Sequence, residues 1–113
     1  MKIIIPAVEF GDLKSKIHAN FGRANYFALI NSENDQVEFI KNEAAAKKSG
    51  AGIAAAQLCA DQGVDLVTAY HFGPKATKAL KTAGIKMLEL EDQKLIKDVY
   101  NEPEIAKIID SKK

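Results

Sequence analysis

Tryptophan is absent from this chain of 113 residues, cysteine occurs once, and the aromatics are three tyrosines and five phenylalanines. A surface built to stack nucleic-acid bases has little material here. A lone cysteine, Cys59, rules out an internal disulfide and fits a reducing cytoplasm. It also means that one copy cannot hold an iron–sulfur cluster with the usual four thiolates. Charge of one sign is missing too: the net charge is +1, far from the basic excess of a nucleic-acid binder. Long apolar runs are lacking. The opening MKIIIPAV is too short for a signal sequence and is interrupted by Pro6. No window approaches the roughly 20 apolar residues that span a bilayer. A cytoplasmic protein with no membrane or nucleic-acid partner is expected.

What is present suits one packed domain over residues 1–113, with 47% hydrophobic and 27% charged residues. Residues 2–5 (KIII) read as a buried first strand that Pro6 should end. Residues 7–25 form a long connection, of the length that often carries function. Runs 26–31 and 36–41 are strand-like, and Ser32-Glu33-Asn34-Asp35 between them is a hairpin turn. After a polar stretch, Gly50-Ala51-Gly52 opens an alanine-rich helix that Gly63 should cap. Its apolar side carries Ala55, Ala56, Cys59 and Ala60, opposite Gln57 and Asp61. Residues 64–70 make a fourth strand. Pro74 takes the first turn of a helix that buries Ala76, Ala79, Leu80 and Ala83 and exposes Lys75, Lys78 and Lys81. Residues 85–90 are a fifth strand; Asp92 should cap a helix with Leu95, Ile96, Val99 and Tyr100, and Pro103 should open a last one.

The order β-β-β-α-β-α-β-α predicts an α/β fold with a mixed five-stranded sheet. Right-handed crossovers give the order 3-2-1-4-5 with strand 2 antiparallel. Strands 1, 3 and 4 then end at one edge, which gathers residues 7–25, 42–52 and 70–75. Open α/β sheets bind ligands at such an edge. Both histidines, His18 and His71, fall in these segments, as do Arg23 and the Gly50/Gly52 helix entrance.

Each candidate has a plain structural alternative. Neutral imidazole suits iron and other transition metals, so His71 and His18 are candidate ligands; the alternatives are a strand-end residue and an exposed loop residue. Gly50-Ala51-Gly52 could present free N–H groups to an anion, or could simply make a tight turn. Arg23 could pair with an anionic ligand, or could brace a loop. Cys59 falls in the helix's apolar arc and reads as a small core hydrophobe.

Three stretches, HANFGRANYF (18–27), KSGAGIAAAQLCADQGVDLV (48–67) and HFGPKATKALKTAGIK (71–86), resemble the dinitrogenase iron–molybdenum cofactor biosynthesis family in order and spacing. The resemblance covers roughly residues 1–100. It implies a ribonuclease-H-like three-layer fold, with helices on both faces of the sheet. It also implies a non-catalytic carrier of the iron–molybdenum cofactor or an iron–sulfur precursor, served by donor and acceptor proteins of cluster assembly. His71 matches the third motif directly. In the first loop the family often has histidine before the phenylalanine; here Asn20 precedes Phe21 and the histidine stands two positions earlier, at His18. The expected binding set is His18, Asn20, Arg23, Gly50, Gly52, His71 and Gly73, with His18 and His71 as metal ligands, in a monomer or weak homodimer.

The alternative from another class is a small-anion or phosphate-binding module that uses the helix start at 50–52. Neither a Walker-type lysine nor GxGxxG is present. A two-metal nuclease needs converging carboxylates, whereas the first strand has none and Asp65 begins strand 4 at the opposite edge. No serine stands in a nucleophile-elbow context.

Overall fold

The computed structural model describes residues 1–11, 14–91 and 95–111. Its five strands are β1 (Lys2–Ala7), β2 (Tyr26–Asn31), β3 (Gln36–Lys41), β4 (Leu66–Ala69) and β5 (Lys86–Glu89). They lie in the order β3-β2-β1-β4-β5. β2 is antiparallel to both neighbours, and β4 is parallel to β1 and β5. The helices are α1 (Ala51–Asp61), α2 (Pro74–Thr82), α3 (Ile96–Tyr100) and α4 (Pro103–Ser111). A short 3-10 turn over Glu43–Ala46, which no hydrophobic period announces, precedes α1.

The sheet is covered on both faces because its central strands are apolar on both. Successive strand residues point to opposite sides. On one side Ile4, Phe27, Leu29, Val67 and Ala69 pack with Ala55, Ala56 and Cys59 of α1 and Ala76 and Leu80 of α2. On the other, Ile3, Ile5, Ala28, Ile30 and Leu66 meet Ile96 and Val99 of α3 and Ile105 of α4. The result is the expected three-layer arrangement.

The bounds of β1, β4 and β5 differ from expectation, β5 being one residue shorter at each end than 85–90. Pro6 does not end β1; it pairs opposite Phe27 inside it. The Pro6 carbonyl faces residues 16–18 and accepts the His18 N–H at 3.0 Å. A residue's N and C=O point to the same side of a strand, and on that side the ladder to β4 has already stopped at Ile4. The missing proline N–H therefore removes no ladder bond. The fourth strand is shorter than the expected 64–70: the Val64 N–H is taken by the Cys59 carbonyl at the end of α1, while Asp65 still bonds to both neighbours, its N–H donating to the Lys2 carbonyl at 2.9 Å and its carbonyl accepting the Lys86 N–H at 3.0 Å. The proposed cap Asp92 lies outside the described residues. Within them, α3 starts after Leu95, whose N–H donates to the Asp98 carboxylate at 3.2 Å.

The β2–β3 turn is tied to the helical layer behind it. Tyr100 Oη donates to Asp35 Oδ1 at 2.5 Å, and Asp35 itself sits at φ 57°. Burial, then the hydrogen bond to the Asp35 carboxylate and its charge, push the Tyr100 phenol up to about 12 from 10.0. The unfolded chain therefore gives up this proton first. The contribution is complete below pH 10 and is lost as pH rises from 10 through 12. Chemical denaturation across that window is expected to show a steeper loss of stability in wild type than in Tyr100→Phe. Equal slopes would remove this tie from the account.

Candidate functional site

Two aromatic residues draw the first loop and the β4–α2 junction together. Phe21 and Phe72 are both buried, with ring centroids 5.6 Å apart, and Phe21 also stacks on Phe27 of β2 at 5.4 Å. Asn20 and His71, the residues just before these phenylalanines, form a parallel bridge. In extended chain, neighbouring side chains point to opposite sides. With Phe21 and Phe72 inward, Asn20 and His71 are exposed beside each other.

The loop of residues 7–25 is held elsewhere as well. Ala7 bridges Ile17, and Lys16 bridges Leu95. The Val8 N–H donates to the Lys16 carbonyl at 3.1 Å, and Ile17 is buried. These isolated bridges pin the described residues 16–18 beside the end of β1.

The third wall comes from α1, and glycine makes it possible. A Cβ on Gly22 would lie 2.9 Å from both Cα and N of Gly52. The first loop therefore touches the first turn of α1 backbone to backbone. A Cβ on Gly52 would lie 3.0 Å from the Ala76 Cβ in the first turn of α2. The two helix starts consequently abut. They open into one cleft of about 400 Å³, bounded by Asn20, Gly22 and Arg23, by residues 50–53, and by His71 with residues 73–76.

The electrostatics of this cleft are one-sided. The N-caps of α1 and α2 are Gly50 and Gly73, and neither side chain can cap. The first helical bonds run from Ala54 to Gly50 and from Thr77 to Gly73. The amides of Ala51, Gly52, Ile53, Lys75 and Ala76 precede those bonds and lack helical partners; Pro74 has none to offer. Each helix start carries the equivalent of roughly +0.5 charge. Lys75 adds a cation, and none of the described lining residues is acidic.

Most of the expected residues meet here: Asn20, Arg23, Gly50, Gly52, His71 and Gly73 all line the cleft. The His71 imidazole has no hydrogen-bond partner among the described residues. His18 does not line the cleft. Its Nδ1 lies 3.0 Å from the Asn20 N–H and 3.1 Å from the Asn20 carbonyl, so the ring is occupied in shaping the turn before Phe21. Arg23 lines the cleft, but its guanidinium donates to the carbonyls of Ala45, Lys47 and Lys48. Cys59 is fully buried, and desolvation pushes its thiol up to about 12, so it packs as a hydrophobe. Among the described residues there is no cluster of three or more His, Cys, Asp or Glu able to hold a metal ion.

Gly22 and Ile53 also line the cleft, outside the expected set. Gly22 stands inside the quoted first-loop motif, but its role rests on a contact with Gly52, 30 positions away, that nothing local announces. Ile53 is an apolar residue left 48% exposed on the cleft wall. A mismatch between its type and the wet arc of the helix was the available signal.

Comparison with known proteins agrees with this architecture. The family described as dinitrogenase iron-molybdenum cofactor matches residues 1–103. An uncharacterised protein of Methanocaldococcus jannaschii is 32% identical over 88 residues, covering 75% of this chain and 70% of that protein. The apo form of the orange protein from Desulfovibrio gigas superposes with a TM-score of 0.82 at 28% identity, covering 97% of this chain and 88% of that one. A NifB-type protein of Thermotoga, placed in the DUF35 family, superposes with a TM-score of 0.77 at 30% identity, covering 88% and 84% of the two chains.

Proposed function

Since the chain belongs to the dinitrogenase iron-molybdenum cofactor family, we propose that it is a carrier, not an enzyme, whose cargo is a preassembled anionic metallocluster: the iron–molybdenum cofactor or an iron–sulfur precursor. The observation that supports this reading is the meeting of two uncapped helix starts with one exposed imidazole in a cleft whose described lining holds no carboxylate.

The donor set suits such a cargo better than a bare ion. A metal ion needs three or four protein ligands. A cluster brings its own sulfides and needs only one or two protein ligands plus compensation of its negative charge. His71 would supply a metal bond through neutral imidazole. The first-turn amides of α1 and α2 would supply donors for sulfide or carboxylate oxygen. His18 is the second candidate ligand. Metal at its Nε2 would require the Nδ1–H tautomer, which the Asn20 carbonyl at 3.1 Å is placed to accept. Few bonds also favour release, so the cargo can pass from donor to acceptor proteins of cluster assembly in the cytoplasm. The protein acts as a monomer or weak homodimer.

The test is anaerobic loading of purified protein with iron and sulfide, and separately with extracted iron–molybdenum cofactor, followed by metal analysis and visible absorption. Metal retained at a stoichiometric level supports the carrier. Metal-free protein under both conditions contradicts it.

A second reading rests on the same glycine-capped helix starts, which would equally hold a small anion such as phosphate. A rise in melting temperature with inorganic phosphate, and none with either cluster, would favour it.

A further inference from the structure

Arg23 is the obvious cation to pair with an anionic cargo, yet its guanidinium is occupied. It reaches the carbonyl of Ala45 at 3.1 Å through Nη1 and that of Lys48 at 3.4 Å through Nη2, and Nη1 also donates to the Lys47 carbonyl. Its own N–H donates to Asn20 Oδ1 at 3.1 Å, which fixes where the side chain departs. The three carbonyls belong to the end of the 3-10 turn and the start of the link to α1.

That link has little else to hold it. Lys47, Lys48, Ser49 and Gly50 are all exposed, and Gly50 turns at φ 75° with nothing near its missing Cβ. The turn before it is anchored: buried Asn42 donates to the carbonyls of Gly22 and Ala24 and accepts the Ala44 N–H. The helix after it is anchored by Gly52 against Gly22 and Ala76. Between these anchors Arg23 spans the gap, and the direction in which Gly50 delivers the first-turn amides depends on it.

We infer that Arg23 is a positioning residue: it holds the 45–48 carbonyls so that the α1 start faces the cleft, and it does not serve as the cargo's counter-ion. This deepens the carrier reading and rests on it for its consequence in binding, but not for its structural content. The guanidinium's planar fork can donate to several carbonyls at once, whereas a lysine ammonium on a flexible stem keeps the charge without that geometry. The two roles therefore separate in the conservative variant.

The experiment compares wild type, Arg23→Lys and Arg23→Ala. Amide hydrogen exchange without cargo is expected to be about tenfold faster at Lys47 and Ala54 in both variants, with sheet amides such as Leu29 and Val67 unchanged. Those sheet amides also report that each variant is folded. Affinity for extracted iron–molybdenum cofactor should fall by a similar factor in both variants, while the visible spectrum of the loaded protein stays that of wild type, since the metal's own ligands are untouched. Wild-type exchange in Arg23→Lys, or affinity restored by lysine alone, would overturn the inference and make Arg23 a simple charge partner. If wild type retains no cluster, the carrier reading fails while the exchange data still decide the positioning role.

Discussion

His71→Ala is expected to weaken retention of the iron–molybdenum cofactor by at least about tenfold, equivalent to ~1.4 kcal/mol, with almost no change in fold. The two halves of this expectation have separate causes. His71 is exposed and its ring has no hydrogen-bond partner among the described residues, so truncation removes no packing and orphans no polar group. Surface changes of that kind stay within about 0.5 kcal/mol, or roughly 2–3 °C in melting temperature. On the carrier reading, its value would lie in a metal bond from its imidazole, which lines the cleft. His18→Ala is the useful companion. That ring shapes the turn before Phe21 through Asn20, so its loss should lower stability as well as binding. Equal retention by wild type and His71→Ala would remove His71 from the set of ligands.

Gly22→Ala is expected to damage both stability and binding. The added methyl would meet backbone atoms of Gly52 at 2.9 Å, and backbone cannot swing aside as the end of a side chain can. Overpacking of this sort costs about 1–3 kcal/mol, or roughly 4–13 °C for a domain of this size. Relief would come by moving the first loop away from α1, which takes Asn20 from the helix starts and Arg23 from the carbonyls of residues 45–48 that it holds. Cargo retention should fall further than the stability loss alone requires, and it should stay low at temperatures where the variant is fully folded. Gly50→Ala is the contrast: its site is sterically open, and the penalty comes from φ 75° alone, about 1 kcal/mol. A Gly22→Ala protein that melts and binds like wild type would show that the loop–helix contact is not what shapes the cleft.

The physical origin of each element explains what could be read from the chain. The β2–β3 hairpin is legible to the residue, because a polar four-residue turn separates two β-rich runs. The faces of α1 and α2 are legible too, except that Ala83, expected on the buried side, caps α2 and is exposed. A helix repeats every 3.6 residues, so alanines and Cys59 sort from Gln57 and Asp61 by position alone. The strand order follows from the sequence of elements, and with it the edge where the loops gather. Features set by distant partners do not show locally. Pro6 looks like a stop until the ladder beside it is known to have ended. His18 and His71 look equivalent as isolated histidines. Only the Phe21–Phe72 contact shows that it is Asn20, not His18, that comes to lie beside His71. Arg23 looks like an anion receptor until the carbonyls of residues 45–48 are placed around it.

The paired starts of α1 and α2, with His71, are the proposed seat of an anionic cluster. The most direct measurement is amide NMR of labelled protein under anaerobic titration with extracted iron–molybdenum cofactor. The account predicts shifts and paramagnetic broadening concentrated at residues 50–53 and 71–76, with Asn20 and Gly22 affected next and the opposite edge near Lys2, Gln36 and Gln62 unperturbed. Broadening centred on the neighbouring groove of Tyr26, Lys41 and Glu43, or an unchanged spectrum at saturating cofactor, would contradict it.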